Sequence, residues 1–117
     1  MPAAAESGRQ AASNFMMFQL VLQFPLSEDF DFDALLEFET RLTFELGNEH
    51  VVDPHAFGTD EVNIFIHTDS PEIAFQKAVV TLSAQLASTF KAAYRTINSV
   101  QYRWLHPANH EGEFRIA

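Results

Sequence analysis

The residue types able to do chemistry gather in one stretch of this chain. Between positions 50 and 69 stand His50, Asp53, His55, Asp60, Glu61, His67 and Asp69. Two imidazoles with a carboxylate form a donor set suited to zinc or a non-haem metal. A hairpin with its loop centred near Gly58 would set His50 opposite His67, so that both rings share one face of a sheet. That juxtaposition hangs on register, because a slip of one residue sends a side chain to the other face. His50, His55 and His67 are therefore the candidate metal ligands, on a spacing that matches no established metal motif. Each member of the cluster also has a plain structural use. Asp60-Glu61 suits a turn, and a histidine ending a strand serves well as a hydrogen-bonded structural group. Asp69 competes with Ser70 as a helix cap, since Glu72 lies at capping-box distance from it.

Other reactive chemistry is missing. The 117 residues include no cysteine, which removes disulfides, thiol catalysis and Cys-ligated zinc or iron–sulfur sites. No serine stands beside a histidine and an acid in a nucleophile motif. Gly8, Gly47, Gly58 and Gly112 are too scattered for a phosphate loop, and no cofactor is expected. His106 and His110 are four apart, but Pro107 between them argues against one helix carrying both. Asn63 needs partners if it sits within a strand. Pairing with Gln19 or with a side chain of the fourth strand is favoured over ligand binding.

Periodicity gives the elements that must position these groups. Residues 1–14 show none and are expected to form a mobile tail, leaving 15–117 as a single domain. Phe15 to Phe24 has a two-residue period, with Phe18, Leu20, Leu22 and Phe24 on one face and Met17, Gln19, Val21 and Gln23 on the other. A helix capped by Ser27 or Asp31 follows, with Leu35, Phe38, Leu42 and Leu46 at helical spacing and Gly47 as its stop. A weak strand near Glu49–Asp53 precedes the clear strand Val62–His67. Ser70-Pro71 then opens a second helix, which Phe75, Val79, Leu82, Leu86 and Phe90 extend to about six turns. A strand over Val100–Leu105 ends at Pro107, and Phe114–Ile116 offers a further short one.

Strand, helix, strand, strand, helix, strand is the order of a ferredoxin-like βαββαβ sandwich. The expectation is an α+β fold with an antiparallel or mixed four-stranded sheet and two helices on one face, strands one and three running parallel at its centre. The fold's familiar uses leave marks that this chain lacks. Phe57-Gly58 leads into Asp60-Glu61, the wrong charge for RNA stacking, and the first loop, Pro25-Leu26-Ser27-Glu28, has neither a phosphate-binding arginine nor a ligand-sensing glycine. Residues 57–71, Phe57-Gly58-Thr59-Asp60-Glu61-Val62-Asn63-Ile64-Phe65-Ile66-His67-Thr68-Asp69-Ser70-Pro71, resemble a stretch of small uncharacterised bacterial proteins that reads Gly-x-Gly-Glu-x-Asn-Ile-Phe-Ile-x-Thr-x-x-Pro. Asp60 departs from it where a glycine is expected. The resemblance implies a shared hairpin and helix start, and brings no activity with it.

Charge allows a basic protein partner, although a solvated acidic face is the plainer explanation of it. The net charge is −9, and the stretch from Glu28 to Asp53 holds nine acids against one base, Arg41, a local −8. From Ile73 to Asn109 there are four bases and no acid. An acidic surface repels phosphate backbones, so nucleic acid is not expected as a ligand. The apolar run Phe15–Leu26 is interrupted by Gln19 and Gln23 and lacks a small-residue cleavage site, and no segment has the ~18 apolar residues of a membrane span. A cytoplasmic location is expected. The preferred reading is a non-catalytic interaction or regulatory domain that binds a protein partner or a second copy of itself. Its contact surface would be the acidic first helix and the open sheet face, with Met17, Gln19, Val21, Asn63, Phe65 and His67 as binding residues. The alternative to a partner on the sheet face is the chain's own C-terminal tail, with Trp104 nearby, folding back to cover it. Two further alternatives stand beside the preferred function: a small metal- or ligand-binding enzyme using the 50–69 cluster, and an acidic inhibitor of immunity type.

Overall fold

The computed structural model describes residues 17–108 and 112–116. The expected N-terminal tail (residues 1–14), Phe15 and His110 lie outside them. The fold is α+β, a six-stranded antiparallel sheet with three helices. In chain order the elements are β1 (Phe18–Pro25), α1 (Phe32–Leu46), a 3-10 turn (Gly47–Glu49), β2 (Val51–Val52), β3 (Ala56–Phe57), β4 (Glu61–Thr68), α2 (Pro71–Thr81), α3 (Ala84–Ala87), β5 (Lys91–Thr96) and β6 (Arg103–His106). The sheet runs β2-β4-β1-β5-β6, and β3 also pairs with β4. No helix among the described residues is long and apolar enough to cross a membrane.

β1 is the middle strand. Leu20, Leu22 and Phe24 lie on one face with Val62, Ile64 and Ile66 of β4 and Ala92 of β5. Onto that face pack Leu35, Phe38, Leu42 and Leu46, the apolar stripe of α1. Ala74 and Ala78, one turn apart, bring α2 close to the same face, because helix separation follows the size of the contact side chains. Aromatic rings bind the layers together. Phe24 meets Phe38 edge-on at 5.9 Å and stacks on Phe90 at 6.3 Å, and His106 lies flat on Phe90 at 4.3 Å. α1 begins where Asp31 accepts the Ala34 N–H (3.0 Å) and stops at Gly47, whose φ of 63° with ψ of −147° suits a residue without a Cβ.

Several expectations need correction. Strands one and three of the expected order, β1 and β4, are central neighbours but run antiparallel. The reason is topological. A crossover through α1 lays β2 parallel to β1 with a gap between them, and the strand that returns through the hairpin fills that gap in the opposite sense. The six-turn second helix is two helices and a strand. α2 ends at Thr81, Leu82 is extended, and Ser83 caps α3 by accepting the Leu86 N–H (3.3 Å). A serine that bonds backbone in this way competes with helix continuation. Lys91–Thr96, not foreseen as a strand, then pairs with β1. Of the four bases expected near the second helix, only Lys77 lies on it; Lys91 and Arg95 are in β5 and Arg103 in β6. α1 and α2 do lie side by side, and no ion pair joins them among the described residues. Phe18 sits at the end of the sheet against Tyr94 (5.8 Å), outside the core that Leu20, Leu22, Ile64, Ile66 and Leu86 share and against which Leu82 packs.

Leu20→Ala should cost about 2–5 kcal/mol, the range for a fully buried leucine in a core that cannot collapse. Urea denaturation checks this, and a loss below about 1 kcal/mol would show that the helix-covered face is not the main core.

Candidate functional site

The three candidate metal ligands are not brought together. The β2–β4 register sets Val51, not His50, opposite His67, so His50 faces the helices and His67 the other side. His50 is 7% exposed, and its Nδ1 lies 2.6 Å from the Thr68 hydroxyl, which also accepts the Ser70 N–H at 2.9 Å. Its Nε2 is buried with no hydrogen-bond partner. Burial holds the His50 pKa below its ordinary 6.5, Lys77 pushes the same way, and Glu49 and Asp69 oppose them. His55, in the β2–β3 connection, is bound to α1: its Nδ1 lies 2.9 Å from Glu39 Oε1, and its backbone N–H donates to Glu39 Oε2 at 2.8 Å. The pair clamps the β2–β3 connection onto the helix. His67 lies 3.5 Å from Asp53 Oδ2 at a partly exposed site. Among the described residues no group of three or more His, Asp or Glu is placed to hold a metal ion. The one-residue register difference dissolves the expected set.

The second sheet face is not open. Val21 and Ala93 are fully buried there, beneath Phe114 of the C-terminal segment and beside Phe65, Tyr102 and Trp104. Trp104 Nε1 donates to the Gly112 carbonyl (2.9 Å), and its ring meets Phe114 edge-on at 5.1 Å. Phe114–Ile116 thus covers the sheet without forming a strand. Of the residues expected to bind a partner on this face, Val21 is buried, Asn63 is 1% exposed, and Gln19, Phe65 and His67 are half-buried; Met17 alone is exposed, its N–H on Asp69 Oδ1 (3.1 Å).

Polar groups on this face satisfy one another. Gln23 Nε2 is placed to donate to Glu61 Oε2 (2.7 Å), Asn63 Oδ1 (3.1 Å) and the Arg115 carbonyl (2.9 Å), and Asn63 Nδ2 to Glu61 Oε2 (3.2 Å). Asn63 therefore has a structural role, with Gln23 and Glu61 as partners in place of the expected Gln19. Gln19 Oε1 instead accepts from Arg95 Nε (3.0 Å) and Tyr102 OH (3.1 Å), while Arg95 also donates to the carbonyls of Ile97 and Ser99, each at 3.0 Å. Reading the sequence placed Gln23 on this face and offered the C-terminal tail as its cover, but missed Arg95 and Tyr102 and did not single out Phe114. Gln23 was visible as the next polar position after Gln19 and Val21; a lone phenylalanine in a polar terminus carries no periodic signal.

Two surface hollows bear on binding. One of about 450 Å³ lies at the β5–β6 end, lined by Phe18, Tyr94, Arg95, Tyr102 and Arg103 among others. Its size suits a small ligand, but the Arg95 guanidinium is already committed to loop carbonyls and Gln19. The other, about 470 Å³, is a groove between α1 and α2 lined by Thr40, Arg41, Phe44, Glu45, Val80 and Thr81. Phe44 and Val80 are 84% and 82% exposed on its opposite walls.

The depressed His50 pKa makes stability pH-dependent in a definite sense. The unfolded chain binds a proton near 6.5 and the folded chain only below that, so this contribution is complete above pH 6.5 and is lost as pH falls toward the folded value. Wild type should lose urea stability between pH 6.5 and 5.5 more steeply than His50→Gln, and a His50 resonance titrating at or above 6.5 would overturn the assignment. Phe114→Ala should cost on the order of 3 kcal/mol and expose the Val21–Ala93 patch, read as dye binding and concentration-dependent sedimentation. An unchanged midpoint would mean that the segment adds no cover. Comparisons with protein-family models, curated proteins and solved structures gave no match to this chain.

Proposed function

We propose that the chain is a non-catalytic protein-interaction domain that binds its partner through the outer surface of the helical layer. The observation that carries this reading is the pairing of Phe44 and Val80, two large apolar side chains left in water on opposite walls of one groove. Solitary exposed apolar residues need no explanation, but a contiguous pair rimmed by charge has the layout of a docking surface. The side chains of Gln23, His50, His55 and His67 each have a partner inside the fold, His50 through Nδ1 only. The sheet face, the surface favoured by sequence, gives way to the helices because the C-terminal segment covers it.

A second copy is a poor occupant for the groove. An α1-to-α1 dimer would bring together two helices of net charge −3, each inside a stretch of net charge −8, and such repulsion opposes association. The partner is a different protein with positive charge. We further infer a ferredoxin-like architecture, supported by the order β2-β4-β1-β5 with α1 and α2 on one face, β6 being an added edge strand.

The test is capture from a lysate of the source cells on immobilised wild type, Phe44→Ser and Val100→Ser. Both side chains are exposed, so both variants should fold. The reading expects at least one protein held by wild type and Val100→Ser and lost with Phe44→Ser. An identical set on all three would overturn it.

A further inference from the structure

The chemistry of the groove narrows the partner, on the reading that the helical layer is the contact surface. Leu36, Thr40 and Phe44 stand four residues apart along α1, the row of side chains that most often forms the ridge in helix–helix packing. Leu36 is half exposed, so the row presents apolar surface at both ends. The hydroxyls in the groove are satisfied within their own helices: Thr40 Oγ1 donates to the Leu36 carbonyl at 3.1 Å and Thr81 Oγ1 to the Lys77 carbonyl at 2.8 Å. Covering them leaves no orphaned donor, which removes the main penalty for burying a polar lining. The walls are helices and not the border of a sheet, so an added strand would find no edge to pair with. A helix, recognised through side-chain ridges, fits.

Charge sets its composition. α1 carries four acids against one base; Arg41, which lines the groove with Glu45, pairs with Glu37 at 3.5 Å, exposed Asp33 and Glu45 make no ion pair among the described residues, and α2 contributes one acid and one base. The groove is thus an apolar centre with an acidic rim along α1. We infer that the α1–α2 groove is a docking site for a basic amphipathic helix of a partner protein, with large apolar residues seated between Phe44 and Val80 and lysine or arginine beside the acids of α1.

The probe is an 18-residue peptide with leucine at helical spacing on one face and lysine on the other. Two controls accompany it: the same leucine pattern with glutamate replacing lysine, and a scrambled peptide of the lysine composition. Binding is followed by amide and methyl NMR shifts of the full chain. The patterned lysine peptide should saturate with shifts centred on Thr40, Phe44, Val80 and Thr81. Its affinity should fall at least tenfold with Phe44→Ser, stay unchanged with Val100→Ser, and weaken as salt rises. Equal binding of the scrambled or glutamate peptide, or shifts spread over the acidic loops without the groove, would overturn the inference. So would a wild-type dimer in sedimentation that Phe44→Ser dissociates, because the occupant would then be a second copy. Lysate capture separates the two levels. If Phe44-dependent capture persists while the peptide fails, the basic helix is wrong and the contact surface stands; if capture ignores Phe44, the contact surface itself is wrong.

Discussion

Everything in this fold answers to one strand that must be hidden on both faces. From Leu20 to Phe24 every residue of β1 is buried, although side chains alternate across the sheet. A central strand of that kind needs a layer on each side. The helices supply one, through the α1 stripe and the close approach of α2 at Ala74 and Ala78. Among the described residues no helix lies on the other side, where Tyr102, Trp104 of β6 and Phe114 of the C-terminal segment supply the layer. The asymmetry is plain: a deep core beneath the helices and a thin cover opposite.

Amides placed under that cover fix where it sits. Leaving a buried amide unbonded costs about 1–3 kcal/mol, so Gln23 and Asn63 constrain whatever lies over them. Gln23 reaches the Arg115 carbonyl, and Trp104 reaches the Gly112 carbonyl. Two side chains thus hold the backbone of a segment that has no regular structure of its own. Apolar burial alone would allow Phe114 to slide, and these bonds give the segment one position.

How much of this was legible in the sequence depended on the range of the signal. β1, α1, β4 and the start of α2 are written in local periods and caps, and each was foreseen within a few residues. The break at Leu82-Ser83 was not, because the apolar spacing from Phe75 to Phe90 suits one helix and Ala92-Ala93 gives no strand signal on its own; pairing with β1 decides it. The histidine set failed on register, which depends on pairing two segments and on no feature of either. The cover over Val21 was left open between a second copy and the C-terminal tail for a similar reason, since contacts across ninety residues leave no local pattern. For the candidate site the residue types were visible, and the exposed positions of Phe44 and Val80 were not. Val80 falls beside the periodic positions chosen for a longer helix, and Phe44 sits midway between Leu42 and Leu46 on the face of α1 away from its stripe.

The lengths of the strands carry a last consequence. β1 and β4 run for eight residues and β5 for six, whereas β2 and β3 have two each and β6 has four. The sheet is long in its interior and short at both borders. On one border Asp53-Pro54 separates β2 from β3, and a proline offers no N–H to an incoming strand. A fibril grows by adding strands to a free border, and it needs several consecutive backbone groups to begin. This domain keeps its β-rich, phenylalanine-rich interior away from such templates, which guards it against amyloid-like growth.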